Sequence, residues 1–351
     1  MRLLYFAAFG LAFFLSFVGT FLVSRVAYRR KILDFPDSTR HFHKQPTPTL
    51  GGIAIYGSFL LVTITVGILG GYLLNGNIPL QVLVGILVGG GILMIGGYLD
   101  DRYHLPPWYS VLFPIMASLA IITSGVQAIS VHNPLTTQII LLSPLLSGVV
   151  VFGWTMTMTY TTKILDGMDG LVSGISAIGA LVLFGLSLSS QVQQPQTALL
   201  AITFAGSLLG FLILNFHPAK IFLGESGSTF AGFMLAVLAV VSGGKIATTL
   251  LVMGIPLLDM IWVIFQRLRR RQSPFSSDRK HLHYKLTQIG LSEPQAVLFL
   301  YALTGIFGAS ALFLQSRGKL IALIILIIVM LAIIAALYSA YRERGQTKNE
   351  D

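Results

Sequence analysis

Apolar residues in this chain come in long unbroken blocks. They show neither the alternation of a half-buried strand nor the three-to-four spacing of a surface helix. Blocks near the length that crosses a bilayer, about 20 residues, occupy 3–24, 51–74, 80–99, 108–125, 141–161, 171–190, 197–214, 228–243, 246–266, 293–315 and 319–340. Polar breaks such as Asn75-Gly76-Asn77, Gln191 to Gln196 and Ser316-Arg317-Gly318 separate them. Inside hydrocarbon the backbone must satisfy its own hydrogen bonds, which a helix does within one segment. The pattern therefore predicts an all-α, polytopic integral membrane protein with about eleven transmembrane helices. The first block follows a single early Arg2, is too long for a signal-peptide core and lacks a convincing cleavage site. It reads as a retained first span. Residues 1–341 are expected to form one membrane-embedded domain, and 342–351 a disordered polar tail.

Composition agrees. Of 351 residues, 54% are hydrophobic and 10% charged, with a mean hydropathy of +0.80. A soluble domain carries about 25% charged residues, and folding cannot hide that much apolar surface. Lipid has to be the solvent for most of the chain. The absence of cysteine excludes disulfides, iron–sulfur clusters and thiol catalysis.

Charge then sets the orientation. Of 23 Lys and Arg, 19 fall in 25–50, 100–107, 162–170, 215–227, 267–292 and 341–351. The positive-inside rule makes these segments cytoplasmic, with the N-terminus outside and the C-terminus cytoplasmic. The net charge of +10 is thus a topology signal aimed at anionic lipid, and no nucleic-acid partner is expected. The acids repeat the asymmetry. Twelve of the 13 lie in or directly beside those segments, and the exception, Asp259, sits within a span. The positive-inside rule does not predict this, because acids contribute little to it.

Carboxylates gathered at span ends repel one another and need partners. The groups are Asp100-Asp101, Asp166 with Asp169, Glu225, and the deeper Asp259. Solvated loop ends would explain any one of them, but several on one face, each beside glycine, suit Mg²⁺ and phosphate oxygens better. Asp166 and Asp169 are three apart and would share the face of a helical turn. Gly167 and Gly170 would let a ligand approach the backbone. Gly224-Glu225-Ser226-Gly227-Ser228 at a helix start would offer N–H groups and hydroxyls to phosphate. In the basic segment 267–292, His281 and His283 are two apart and point to one side of an extended stretch. Without a third soft ligand they suit phosphate or nucleotide better than zinc. Arg40, His43 and Lys44 precede a stiff Pro46-Thr47-Pro48 stretch and would face the same cavity or lipid headgroups.

Four strings, in this order, resemble the polyprenyl-phosphate N-acetylhexosamine-1-phosphate transferase family. They are Asp100-Asp101 with Leu105, Asp166-Gly-Met-Asp169-Gly-Leu171, Asn215-Phe-His-Pro-Ala-Lys220 running into Gly224-Glu225-Ser-Gly-Ser, and Ser273-Pro-Phe-Ser-Ser-Asp278-Arg-Lys-His281-Leu-His283. The resemblance runs from Arg40 to about Val297. Arg40-x-x-His43-Lys44-x-Pro46-x-Pro48 and Asp278-Arg-Lys-His281-Leu-His283 resemble the branch that uses UDP-GlcNAc. It implies ten or eleven spans, Mg²⁺ (with Mn²⁺ as a substitute), release of UMP, and a multi-pass protein of the plasma (inner) membrane with its active site facing the cytoplasm. The partners implied are UDP-GlcNAc or a related UDP-HexNAc, undecaprenyl or another polyprenyl phosphate, and the bilayer, with a homodimer left open. Carried onto this chain, Asp100, Asp101, Asp166 and Asp169 are the catalytic candidates, and Asp101, Asp169 and Glu225 the metal candidates. Substrate contacts fall to Arg40, His43, Lys44, Lys163, Asn215, Lys220, His281 and His283. Whether Asp100 or Asp101 acts as base or metal ligand stays open.

Three positions depart from the family's pattern. Tyr160 and Lys163 stand where two asparagines are usual, Glu225 replaces an aspartate, and Ser110 lies near the place of a lysine that follows the Asp-Asp pair. Lys163 is the natural source of the cation that lysine would supply. Alternatives are a UDP-MurNAc-pentapeptide branch, a transporter built on intramembrane acids such as Asp259, and a CDP-alcohol phosphotransferase. The last lacks its further residues after Asp169-Gly170.

Overall fold

The structure is a computed structural model that describes residues 1–36, 45–74, 76, 78–128, 130–132, 139–190, 192–243, 245–272 and 281–347. Helices dominate the described residues. In order they are α1 (Arg2–Arg30), α2 (Gly51–Val62, continued by a π-helical stretch Thr63–Leu69), α3 (Leu80–Tyr103), α4 (Pro107–Ser110), α5 (Leu112–Thr123), α6 (Pro144–Leu165), α7 (Leu171–Leu188), α8 (Pro195–Asn215), α9 (Gly224–Val241), α10 (Ile246–Arg269), α11 (Leu282–Gln288), α12 (Glu293–Phe313) and α13 (Ser316–Thr347). Two short antiparallel ribbons complete it. In one, β1 (Leu33–Asp34) pairs with β2 (Thr47–Pro48), setting Leu33 against Pro48. In the other, β3 (Ser130–His132) pairs with β4 (Ile139–Leu141).

Nine of the described helices are long and apolar enough to cross a membrane. The other two apolar blocks form helices that miss this measure for visible reasons. Pro107–Thr123 is 17 residues broken at Val111. The 22 residues of α6 include five threonines. Three of these, Thr155, Thr161 and Thr162, donate to carbonyls one turn back, so their hydroxyls are satisfied within the helix. At the C-terminus helix continues through Thr347, over part of the tail expected to be disordered. Extending an existing helix is far easier than nucleating one, and no proline interrupts it; 348–351 lie outside the described residues.

Helices α8 and α9 sit at the centre and are buried nearly all round, whereas α1 and α13 bury a narrow stripe and expose the rest. Outward side chains such as Leu3, Phe6 and Phe14 on α1 and Ile321, Ile324 and Ile328 on α13 are apolar, as lipid contact requires. Close approaches use small residues. A side chain at Gly206 or Gly210 of α8 would come within 2.5 Å of Phe9 O or 2.1 Å of Phe13 O on α1. A Cβ on Gly97 of α3 would meet the Ser226 backbone N at 2.2 Å, and one on Gly52 of α2 the Gly227 N at 2.2 Å. Bare backbone at these two glycines lets α2 and α3 lie directly on the start of α9. That contact builds the site, because Asp100 and Asp101 follow Gly97 by one turn.

Candidate active site

A cleft of about 1400 Å³ opens at one end of the helix bundle. Its lining comes from the C-terminal ends of α1, α3, α6 and α8 and the N-terminal ends of α9 and α12, with the segments joining them. The predicted loops 25–50, 100–107, 162–170 and 215–227 thus contribute to one space.

Asp101 anchors the site. Its Oδ1 accepts the Glu225 backbone N–H at 3.1 Å and so caps α9, whose first N–H groups lack helical partners. Gly224, at φ 74°, makes the turn into that helix, and a Cβ there would come within 2.6 Å of Asp101 Oδ2. Glu225 follows in the first turn, where a carboxylate complements the helix dipole. Its Oε1 accepts a hydrogen bond from the Lys163 ammonium, which projects from the last turn of α6. Lys163 also donates to Ser110 Oγ at 3.2 Å. That hydroxyl lies 3.3 Å from Asp100 Oδ2 and 3.5 Å from Glu225 Oε1.

Asp166 and Asp169 occupy the link from α6 to α7, not one helical turn. Asp166 is the C-cap of α6 at φ −74°, ψ 63°, and Gly170, at φ 76°, is the N-cap of α7. Asp166 opens onto the cleft, but protein surrounds it at depth. That burial, with Glu225 and then Asp169 nearby, pushes its carboxyl up to about 8. Asp169 Oδ2 accepts the Ala219 N–H at 3.0 Å and meets His217 Nδ1 at 2.9 Å. His217 Nδ1 is also 3.3 Å from Glu293 Oε2. The acids therefore run in an arc along the cleft, from Asp100 and Asp101 through Glu225 and Asp166 to Asp169 and Glu293.

His217 and Glu293 join the arc without having been singled out in the sequence. His217 lies within the quoted Asn215-to-Lys220 string, beside Pro218, in a loop already rich in candidates. Glu293 is the first residue of a span and had no motif to mark it.

Several predicted contacts fall elsewhere. His281 and His283 do share a side, with ring planes 5° apart and centroids 5.7 Å apart. They are buried behind the α6–α7 link and do not line the cleft. The cause is Asp259, whose Oδ2 lies 2.8 Å from His281 Nδ1 and whose Oδ1 accepts the Leu282 N–H at 2.9 Å. This intramembrane carboxylate ties the start of α11 to α10, which removes the feature that favoured a transporter. His283 is 1% exposed and neither ring nitrogen has a hydrogen-bond partner among the described residues. Burial pushes it down to about 4, against a smaller upward pull from Asp259 and a downward push from His281. The space beside Gly167 is filled by His283 and Tyr284 and not left for a ligand; Tyr284 donates to Gly167 O at 3.2 Å. Asn215 does line the cleft, but its amide is engaged by the protein. It donates to Ile221 O at 3.0 Å and accepts from Ser173 at 2.7 Å, holding the 216–221 turn. Lys220 is exposed at the cleft. Arg40, His43, Lys44 and 273–280 lie outside the described residues.

The donor set fits a hard divalent cation. Asp101 Oδ2 is buried without a hydrogen-bond partner among the described residues, and an ionised oxygen so placed is costly unless a cation meets it. Neighbouring carboxylates supply the further oxygen ligands that Mg²⁺ prefers.

Membrane-length helices around a carboxylate-lined cleft at their ends define a polytopic membrane protein with a candidate cation site. Comparison with known proteins narrows this. The profile of glycosyl transferase family 4 matches residues 83–243. A probable undecaprenyl-phosphate N-acetylglucosaminyl 1-phosphate transferase of Bacillus subtilis is 30% identical over 311 residues, 87% of this chain and 83% of its own length. A decaprenyl-phosphate N-acetylglucosaminephosphotransferase of Mycobacterium leprae is 31% identical, covering 86% and 82%. The undecaprenyl-phosphate alpha-N-acetylglucosaminyl 1-phosphate transferase of Escherichia coli K12 is 26% identical, covering 80% and 76%. The chain belongs to glycosyl transferase family 4 and is a multi-pass membrane transferase.

Proposed function

We propose that this protein transfers N-acetylglucosamine 1-phosphate from UDP-GlcNAc to undecaprenyl or another polyprenyl phosphate, releasing UMP. The reaction takes place at the cytoplasmic face of the plasma membrane, in a bundle of eleven spans with its N-terminus outside. The observation that carries this reading is the acidic arc. Carboxylates from α3, α9, α12 and the α6–α7 link meet in one cleft that also holds Lys163 and Lys220.

The chemistry is one exchange of phosphate bonds. An oxygen of polyprenyl phosphate attacks the sugar-bearing phosphorus of UDP-GlcNAc. A new P–O–P bond forms, the bond to the uridylyl phosphate breaks, and UMP carries away its electron pair. Mg²⁺, held by Asp101 and Glu225 and bordered by Asp166 and Asp169, would supply Lewis-acid stabilisation of the diphosphate and the leaving group. Lys163 and Lys220 offset the charge of the two anionic substrates. A phosphate monoester has a second pKa near 6, so the nucleophile is largely dianionic and needs little help. Asp166 is placed to take the remaining proton. The apolar cleft wall at Phe21, Tyr28 and Leu105 suits the first isoprene units.

The test is UMP release by purified protein from UDP-GlcNAc plus undecaprenyl phosphate. Wild type should release UMP, and Asp101→Asn and Glu225→Gln should each lose at least a hundredfold in kcat. Wild-type rates in both variants would remove the site assignment. A panel including UDP-GalNAc and UDP-MurNAc-pentapeptide fixes the sugar.

A further inference from the structure

Among the described residues lining the cleft, Lys163 is the one lysine or arginine ion-paired to a cleft carboxylate. Its ammonium sits against Glu225 Oε1 and is braced by Ser110, whose hydroxyl accepts from Lys163 and can donate its single proton to Asp100 or Glu225. Any divalent ion that uses Glu225 meets a like charge already seated on that carboxylate. The pair faces the cleft, with 27% of the Lys163 side chain and 17% of the Glu225 side chain exposed. A lysine ammonium on its flexible four-carbon stem can change partners without moving the helix.

We propose that Lys163 is a latch on the metal site, operated by a nucleoside diphosphate. This rests on reading the cleft as a UDP-sugar site. Without nucleotide, Lys163 holds Glu225. A diphosphate entering the cleft offers the ammonium stronger anionic partners and draws it away, which frees Glu225 for the cation. Binding linkage then makes the effect reciprocal: each ligand tightens the other by the same factor. The arrangement keeps a bare divalent ion out of an empty cleft and admits it with the substrate.

Diphosphate binds divalent ions by itself, so the decisive measurements are made with and without nucleotide. Mn²⁺ binding to purified protein is followed by electron paramagnetic resonance, alone and with saturating UDP. Removing a like charge in contact with the ligand carboxylate should tighten Mn²⁺ by about tenfold or more. Lys163→Met should therefore bind Mn²⁺ at least tenfold more tightly than wild type without UDP, and the enhancement by UDP should shrink by a similar factor. Lys163→Arg should stay within threefold of wild type. Glu225→Gln keeps an acceptor for Lys163 and so keeps the local fold. Mn²⁺ should weaken in this variant with and without UDP, because a charge is lost in both cases, but the loss with UDP should be at least tenfold the larger, since only then is Glu225 a ligand. Unchanged or weaker Mn²⁺ binding in Lys163→Met, or equal losses with and without UDP in Glu225→Gln, would overturn the latch. A wild type that releases UMP but shows none of these shifts would remove the latch alone. One that shows them without releasing UMP would remove the transfer reaction instead.

Discussion

Replacing His283 with phenylalanine should make the protein resist mild acid. The wild-type imidazole is buried with neither nitrogen partnered among the described residues and is held down to about 4, whereas an unfolded histidine titrates near 6.5. A base with a depressed folded value is neutral in the native state, and its unfolded form takes up the proton first. Its contribution is therefore intact above about pH 6.5 and is lost as pH falls toward 4. The groups facing it, Asp259, His281 and Tyr284, are unchanged by the replacement. Linkage gives a loss of about 2 kcal/mol between pH 7.5 and 5, and roughly 3 kcal/mol in full. With an unfolding entropy of about 2.1 cal/mol/K per residue, the wild-type midpoint should fall by about 3 °C more than that of His283→Phe over the same interval. At pH 7.5 the variant forfeits no hydrogen bond among the described residues and keeps a ring 4.2 Å from Tyr284, so its midpoint should equal or exceed that of wild type. Thermal unfolding in detergent, read by intrinsic fluorescence at several pH values, decides the matter. Parallel pH profiles for the two proteins would refute the reasoning, because the neutral buried histidine would then contribute nothing to acid sensitivity.

Two further perturbations follow from the packing. Gly97→Val places carbon where the Ser226 backbone nitrogen lies. It should cost about 1–3 kcal/mol as overpacking, lower the thermal midpoint and weaken Mn²⁺ binding with UDP, because it separates Asp101 from Glu225. Asp259→Ala leaves the Leu282 N–H and His281 without their acceptor. It should cost about 2–3 kcal/mol and speed trypsin cleavage after the arginines at 267–271, which limited proteolysis will show.

How far the sequence could be read depended on whether a feature was local or relational. Spans were legible because hydrocarbon forces long apolar runs on the chain wherever they pack. The acids on one face were legible because the positive-inside count marks which segments share a side, and Asp100, Asp101, Asp166, Asp169 and Glu225 do meet in one cleft. Partner choice was not legible. Lys163 and Glu225 are 62 positions apart, and only the packing of α3, α4, α6 and α9 shows that they touch and that Ser110 lies beside both. The histidine pair misled for the same reason. Two-residue spacing correctly put both rings on one side, but an acid 22 positions upstream decided which way that side would face. His217 needed the 216–221 turn, and Glu293 the placement of α12, before either could approach Asp169.

Asp101 spends one carboxylate oxygen on starting a helix and leaves the other buried beside the cleft, without a hydrogen-bond partner among the described residues. Architecture and chemistry are thus fastened at a single atom's breadth. If the proposed metal role holds, a strategy that stiffens the fold by trading this residue for a neutral cap will blunt turnover, and one that retunes its free oxygen will loosen the helix. Variants hardened against heat will have to be sought away from this junction, along the lipid-facing stripes of the first and last helices.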